Sequence, residues 1–302
     1  MPIRRRVVAL AAVALLVALA AAGEDAPPQA AGVAEDSHPP AATGVPEDYY
    51  PPAPSARQVI ERAFDNFYYF DQHADLDFVV RRAGQVVLEY RTELLRKFID
   101  GRAHDLFYFQ GDGDMRGRRI LRIERHDRSD DAFVYLPHLR RIRRAVTAQR
   151  ADKFTGMDVT LEDLEVQRVD KFEVLGRSFA AVSGEPVHLV TLKRLIGTTY
   201  DRVDFFVAAS DYAMLEVRYY RIGALDPYKV TRMDRAQMEH YEDRVLPKRI
   251  DFEDMDAGTE TTIVFRRREV NPDLSSAAFS TRSLETRSHL SWIRGWENGA
   301  AE

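Results

Sequence analysis

Alternation with a period of two dominates this chain and limits what it can fold into. Leu76, Phe78 and Val80 alternate with Asp75, Asp77 and Arg81. After a turn at Gly84, Val86, Leu88, Tyr90 and Thr92 alternate with Val87, Glu89, Arg91 and Glu93. Similar segments cover 105–110, 118–125, 187–195, 202–207, 213–220, 227–233 and 261–268, many of them separated by Gly, Asp, Asn or Pro. Successive side chains on a strand point to opposite faces, so a strand with one charged face belongs to an antiparallel sheet with one side in water. No βαβ alternation and no repeat of fixed length interrupts the pattern.

Helical cover is scarce. Ser55 and Gln58 have capping-box spacing just after Pro54, and Val59, Ile60, Ala63, Phe64, Phe67 and Tyr68 recur at helical spacing, predicting one amphipathic helix that ends near Phe70. Shorter helical pieces are expected near 160–164 and 275–284. Many apolar strand faces with few helices leave two solutions. One is a mainly β, α+β fold: a strongly curved, mostly antiparallel sheet, a half-barrel closing over a few helices around an apolar cavity. The other is a tightly closed sandwich or barrel. Alternation alone supports both equally. An outer-membrane barrel is disfavoured by the opening helix, the Arg- and Glu-dense faces and the polar tail 298–302.

The N-terminus speaks to compartment. Arg4, Arg5 and Arg6 precede an uncharged apolar stretch, 7–22, that ends in Ala20-Ala21-Ala22. This is the layout of a secretory signal peptide, and the stretch falls short of the ~20 residues a spanning helix needs. The expected division is a signal peptide at 1–22, a flexible Ala/Pro-rich linker at 23–54, a folded domain at 55–290 and a polar tail at 291–302. The chain has no cysteine, so an exported form depends on its hydrophobic core and not on disulfides. Its formal net charge of −5 becomes more negative if the three arginines leave with the signal. That argues against nucleic acid as a main partner.

The residues offer little to a catalytic reading. His73, His104, His126, His138, His188, His240 and His289 show no metal-ligand spacing, and no nucleophile elbow or phosphate loop is present. Gly111-Asp112-Gly113-Asp114 lacks the acidic series and closing Glu of a calcium loop. No catalytic residue, cofactor or metal is expected. The basic run Arg140, Arg141, Arg143 and Arg144 stands out in an acidic protein, with Asp152, Asp158, Glu162 and Asp163 downstream. In a structural reading, these acids neutralise the arginines and pin a long loop across the sheet. In a functional reading, the patch docks an acidic partner or an anionic headgroup, because guanidinium forks hold carboxylate and phosphate bidentately.

The segment Tyr135-Leu136-Pro137-His138-Leu139-Arg140-Arg141-Ile142-Arg143-Arg144, followed by Asp152-Lys153-Phe154-Thr155-Gly156-Met157-Asp158-Val159-Thr160-Leu161-Glu162-Asp163-Leu164, resembles the signature of the outer-membrane lipoprotein-sorting proteins, a bacterial family with a LolA/LolB-like fold. Fainter echoes are Lys229 after Tyr219-Tyr220, Leu246-Pro247, Thr261-Thr262 and the series Asn271, Phe279, Leu284. Met157, Val159 and Leu161 depart from the usual pattern, so the chain is similar to a divergent member. The resemblance implies a curved sheet over a hydrophobic cavity. It also implies a periplasmic, non-enzymatic carrier of lipid or lipoprotein acyl chains, associated with lipid exporters of the resistance-nodulation-division type.

The expected function is such a carrier, a monomer working between an inner-membrane exporter and an outer-membrane acceptor. The alternative is an accessory subunit of the exporter with no cargo of its own. Leu76, Phe78, Leu88, Tyr90, Tyr108, Phe205 and Tyr219 are the candidate cavity-lining residues. Arg140, Arg141, Arg143 and Arg144 with Asp158 and Asp163 are the candidates for the cavity mouth or a partner surface.

Overall fold

In the computed structural model the described residues are 53–110, 115–144, 157–160, 162–195 and 200–285. The expected signal peptide, the expected linker up to residue 52 and the polar tail lie outside them, as do Gly111-Asp112-Gly113-Asp114. Helix α1 (Ala56–Tyr68) begins where the sequence places it. The Ser55 side chain accepts from the Gln58 amide, the Gln58 side chain accepts from the Ser55 amide, and Val59, Ile60, Ala63 and Phe64 are buried. No described helix is long and apolar enough to cross a membrane.

Strands follow in two series. The first is β1 (Gln72–Arg82), β2 (Gln85–Ile99), β3 (Arg102–Gln110), β4 (Arg119–Ile123), β5 (Asp131–Leu136) and β6 (Arg141–Arg144). The second begins with β7 (Phe172–Val182), β8 (Glu185–Arg194), β9 (Arg202–Ala208), β10 (Met214–Tyr220) and β11 (Lys229–Arg232). It continues through β12 (Met238–Tyr241), β13 (Arg244–Pro247), β14 (Arg249–Asp254) and β15 (Thr259–Val270). Two-residue turns such as Ala83-Gly84 and Asp100-Gly101 have both residues at positive φ, the geometry that matches the right-handed twist of a hairpin.

Among the described residues, thirteen strands form one sheet in the order β6-β5-β4-β3-β2-β1-β15-β14-β11-β10-β9-β8-β7, while β12 and β13 form a separate hairpin. Every pairing is antiparallel, and the first strand meets the last at the centre. The sheet is open. Its two edges, β6 and β7, are consecutive in sequence, so the chain crosses from one edge to the other between Arg144 and Phe172.

The inner face carries α1. Phe64 packs against Phe172 and Phe205 with ring centroids 6.2 and 5.3 Å away. Leu76, Phe78 and Val80 of β1 join this main core. The outer face is covered in part by the segment after β15: Leu274, Ala278, Phe279 and Leu284 pack on Leu95, Leu106 and Leu121. This segment contains two short 3-10 turns, Ser276–Phe279 and Arg282–Leu284, where a helical piece is expected. Where a helical piece is expected near 160–164, the described residues 162–164 form a turn.

A pocket under a strap

The described part of the edge-to-edge crossing, 157–160 and 162–171, is a strap held by side chains across the inner face. Asp158 accepts from the Thr259 hydroxyl at 2.5 Å and the Thr261 hydroxyl at 3.0 Å, and its amide donates to Thr261 Oγ1 at 2.8 Å. Asp163 receives the Lys229 ammonium at 2.5 and 2.6 Å. Glu162 and Glu165 each lie 3.2 Å from the Arg194 guanidinium, and Arg168 donates to Glu124 at 2.5 and 2.9 Å. Met157 and Val159, two of the departures from the family pattern, are wholly buried in the main core. Leu161 lies outside the described residues.

The strap corrects the structural reading of the acids. Among the described acids, Asp158, Glu162 and Asp163 pin the loop by meeting Thr259 and Thr261, Arg194 and Lys229, not the basic run; Asp152 lies outside the described residues. Arg140 sits in the turn before β6 with φ of 48°, and Arg141, Arg143 and Arg144 lie exposed on that edge strand. Arg144 contacts Asp131, which also accepts from Arg125 at 2.7 Å and Arg128 at 3.0 Å. Burial alone would raise the Asp131 carboxyl. The hydrogen bonds from Arg128, Arg144 and Arg125 outweigh it and hold that carboxyl far below the usual range. The side chains of Arg140, Arg141 and Arg143 have no hydrogen-bond or ion-pair partner among the described residues, although their backbones are bonded in the turn and the β5–β6 ladder.

Between the end of α1, the strap and the sheet lies a mostly apolar pocket of about 110 Å³. Phe67, Tyr68 and Phe70 form one wall, Leu76, Phe78 and Leu94 another, and Phe252, Ile263 and Phe265 a third. Among the candidate lining residues, Leu76, Phe78 and Tyr219 border this space. Leu88 and Tyr90 pack, half-buried, against the same core, and Phe205 is buried against Phe64. Tyr108 lies under the Arg119 guanidinium, which stacks 5.5 Å from its ring and donates to the Leu284 carbonyl. Leu284 belongs to the outer-face cluster, so Tyr108 stands apart from the pocket.

Polar groups that sequence reading overlooks also border the pocket: Gln72, Arg96, Thr231 and Arg268, beside Asp163. Arg96 is saturated by Asp105, at 2.6 and 3.1 Å, and by the Tyr68 carbonyl at 3.3 Å. Asp105 is shared with Arg122, which also meets Asp130, and Lys171 lies 3.5 Å from Asp130. Burial pushes the Asp105 carboxyl up, but Arg122 and Arg96 outweigh that and hold it low. No residue in this ladder is poised for chemistry. Each charge in the ladder has an opposite partner within contact. Among the described residues, no group of three or more His, Cys, Asp or Glu could hold a metal ion.

A protein family described as "Uncharacterized protein" matches residues 101–286, more than half of the chain. The chain belongs to that family. No curated protein matches it. Its fold is shared with three solved structures. The first is a putative outer membrane lipoprotein-sorting protein domain from Vibrio parahaemolyticus: 16% identity, 77% of this chain and 98% of that one covered, TM-score 0.70. The second is a DUF1329 family protein from Desulfovibrio piger: 21% identity, 76% and 98% covered, TM-score 0.69. The third is a LolA superfamily protein from Nitrosomonas europaea: 17% identity, 76% and 100% covered, TM-score 0.62. The open, antiparallel sheet over α1 is thus the fold of these structures, one of them a LolA superfamily protein, carried by a sequence only 16–21% identical to theirs. Of the two architectures left open by alternation, the closed sandwich or barrel is set aside.

Proposed function

We propose that this protein is a non-catalytic periplasmic carrier that binds the acyl chains of a lipid or lipoprotein between the inner and outer membranes. The apolar pocket between α1 and the inner face carries the reading. Three other features support it: the shared LolA fold, a neighbour titled as a lipoprotein-sorting domain, and the signal-like residues 1–22. Carriers must load and unload, so weak, apolar, largely non-directional contacts suit them. The pocket of about 110 Å³ is below the roughly 300–1,000 Å³ of most small-molecule sites. Loading therefore requires α1 or the strap to move away from the sheet. Residues 23–54 act as the tether to a domain spanning 55–290, and the carrier works as a monomer.

Native mass spectrometry of protein purified from a periplasmic extract tests the reading. A retained adduct of lipid mass, lost on delipidation, is expected. Consistently empty protein that still binds the periplasmic domain of an exporter would overturn the carrier and favour the accessory-subunit alternative. That alternative draws on Arg140, Arg141 and Arg143, which stand exposed on the β6 edge as a docking surface for an acidic partner.

A further inference from the structure

Arg268 is placed in the pocket by a β-bulge. On β1, Ala74 and Leu76 are two residues apart and share the inner face; on β15 their partners are Arg268 and Phe265, three residues apart. A regular strand would turn residues three apart to opposite faces. The extra residue, at the register shift between Asp75 and Leu76, brings Arg268 back to the side of Phe265. Its guanidinium stacks 3.6 Å from the Phe265 ring, and its side chain is only 3% exposed.

Most cations around the pocket are already neutralised. Arg96 is held by Asp105, and Lys229 by Asp163. Arg268 differs. Its Nη2 donates to the Pro247 carbonyl at 3.1 Å, but Nε and Nη1 are buried with no acceptor in good hydrogen-bonding geometry, Tyr241 being the polar side chain beside them. The nearest carboxylate oxygen, on Glu239, is 3.9 Å from Nη1, beyond hydrogen-bonding reach. Burial pulls Arg268 down to about 10, partly offset by Tyr241 and Glu239, so the group remains charged at neutral pH. Leaving charged donors unsatisfied in an apolar wall is costly. An anion arriving with a ligand would complete their coordination.

Resting on the carrier reading above, we propose that Arg268 binds the anionic head of a single-chain acyl ligand, a carboxylate or a phosphate, whose tail enters the space between Phe78, Phe252 and Ile263.

The test uses delipidated full-length protein and three probes sharing one tail: palmitate, palmitoyl lysophosphatidylglycerol and monopalmitoylglycerol. Wild-type protein is expected to bind at least one anionic probe tenfold or more tightly than the neutral glyceride, and the tighter of the two identifies carboxylate or phosphate. Arg268→Gln is expected to abolish that preference while leaving the neutral affinity within about twofold; Arg268→Lys should retain part of it. Equal affinities for all three probes in the wild type, or a preference that survives Arg268→Gln, would overturn the head-group assignment with the carrier intact. Binding of none of them would overturn the single-chain assignment, while the carrier reading stands or falls by the native mass spectrometry. Should Arg268→Gln fail to fold, the wild-type comparison and Arg268→Lys decide the matter.

Discussion

At the scale of single residues, the inner face shows how a β protein without disulfides keeps charge inside. Arg96, Asp105 and Arg122 are cross-strand neighbours on β2, β3 and β4, so one carboxylate holds two guanidiniums. Asp105→Asn would leave both cations under-compensated in a buried row. The expected loss is about 3–5 kcal/mol in urea unfolding; a loss under 1 kcal/mol would show that the row is hydrated. The same scale marks where sequence reading succeeds and fails. Leu76 and Phe78 are legible because Asp75 and Asp77 betray the face opposite. Tyr108 is not, because Leu106, Phe107, Tyr108 and Phe109 are all apolar or aromatic and both faces are covered there. Arg268 is invisible for another reason: Arg266-Arg267-Arg268 reads as a surface run until the bulge turns the third inward.

At the scale of elements, α1 is legible to its cap because local chemistry alone determines it. Ser55→Ala removes the acceptor for the Gln58 amide, and a loss of about 1 kcal/mol is expected from the thermal midpoint. A helix docked by Phe64 on the inner face should otherwise keep its position, so circular dichroism at low temperature should be unchanged. The strap was only half legible. Thr160 and Asp163 have the spacing of a helix start, and they do exchange the hydrogen bonds of one, the Asp163 amide donating to Thr160 Oγ1 and the Thr160 amide to Asp163. No helix follows, because Glu162, Glu165 and Arg168 must reach Arg194 and Glu124 on opposite halves of the sheet. Such long-range pairings leave no periodic trace.

At the scale of the whole molecule, the buried charges set the response to acid. Burial and Arg177 depress His188, and burial depresses His104, so both fold most readily when neutral. Their unfolded forms take up protons first, and stability is expected to slip as pH falls below about 6.5. Burial raises Asp105 and Glu124, but their arginine and amide partners outweigh it and hold both carboxyls low. Their contribution is full above roughly pH 4.5 and is lost as acid protonates the unfolded chain and then the native carboxylates. Urea midpoints should therefore be level near neutrality, decline gently towards pH 5 and fall steeply below 4. A midpoint that rises on acidification from pH 7 to 4 would contradict this account.

The centre of the sheet joins β1 to β15, with Gln72 opposite Val270 and Arg82 opposite Thr259. These partners come from nearly opposite ends of the folded region, so neither half can acquire its neighbour until almost the entire chain is available. Loop-closure entropy makes such distant pairing slow. A chain still emerging from a ribosome would hold β1 with one flank bare. Completion would come late, as the last strand arrives, and would bring α1, the strap and the pocket wall together in one step. The architecture thus delays its own closure until the last strand has been made.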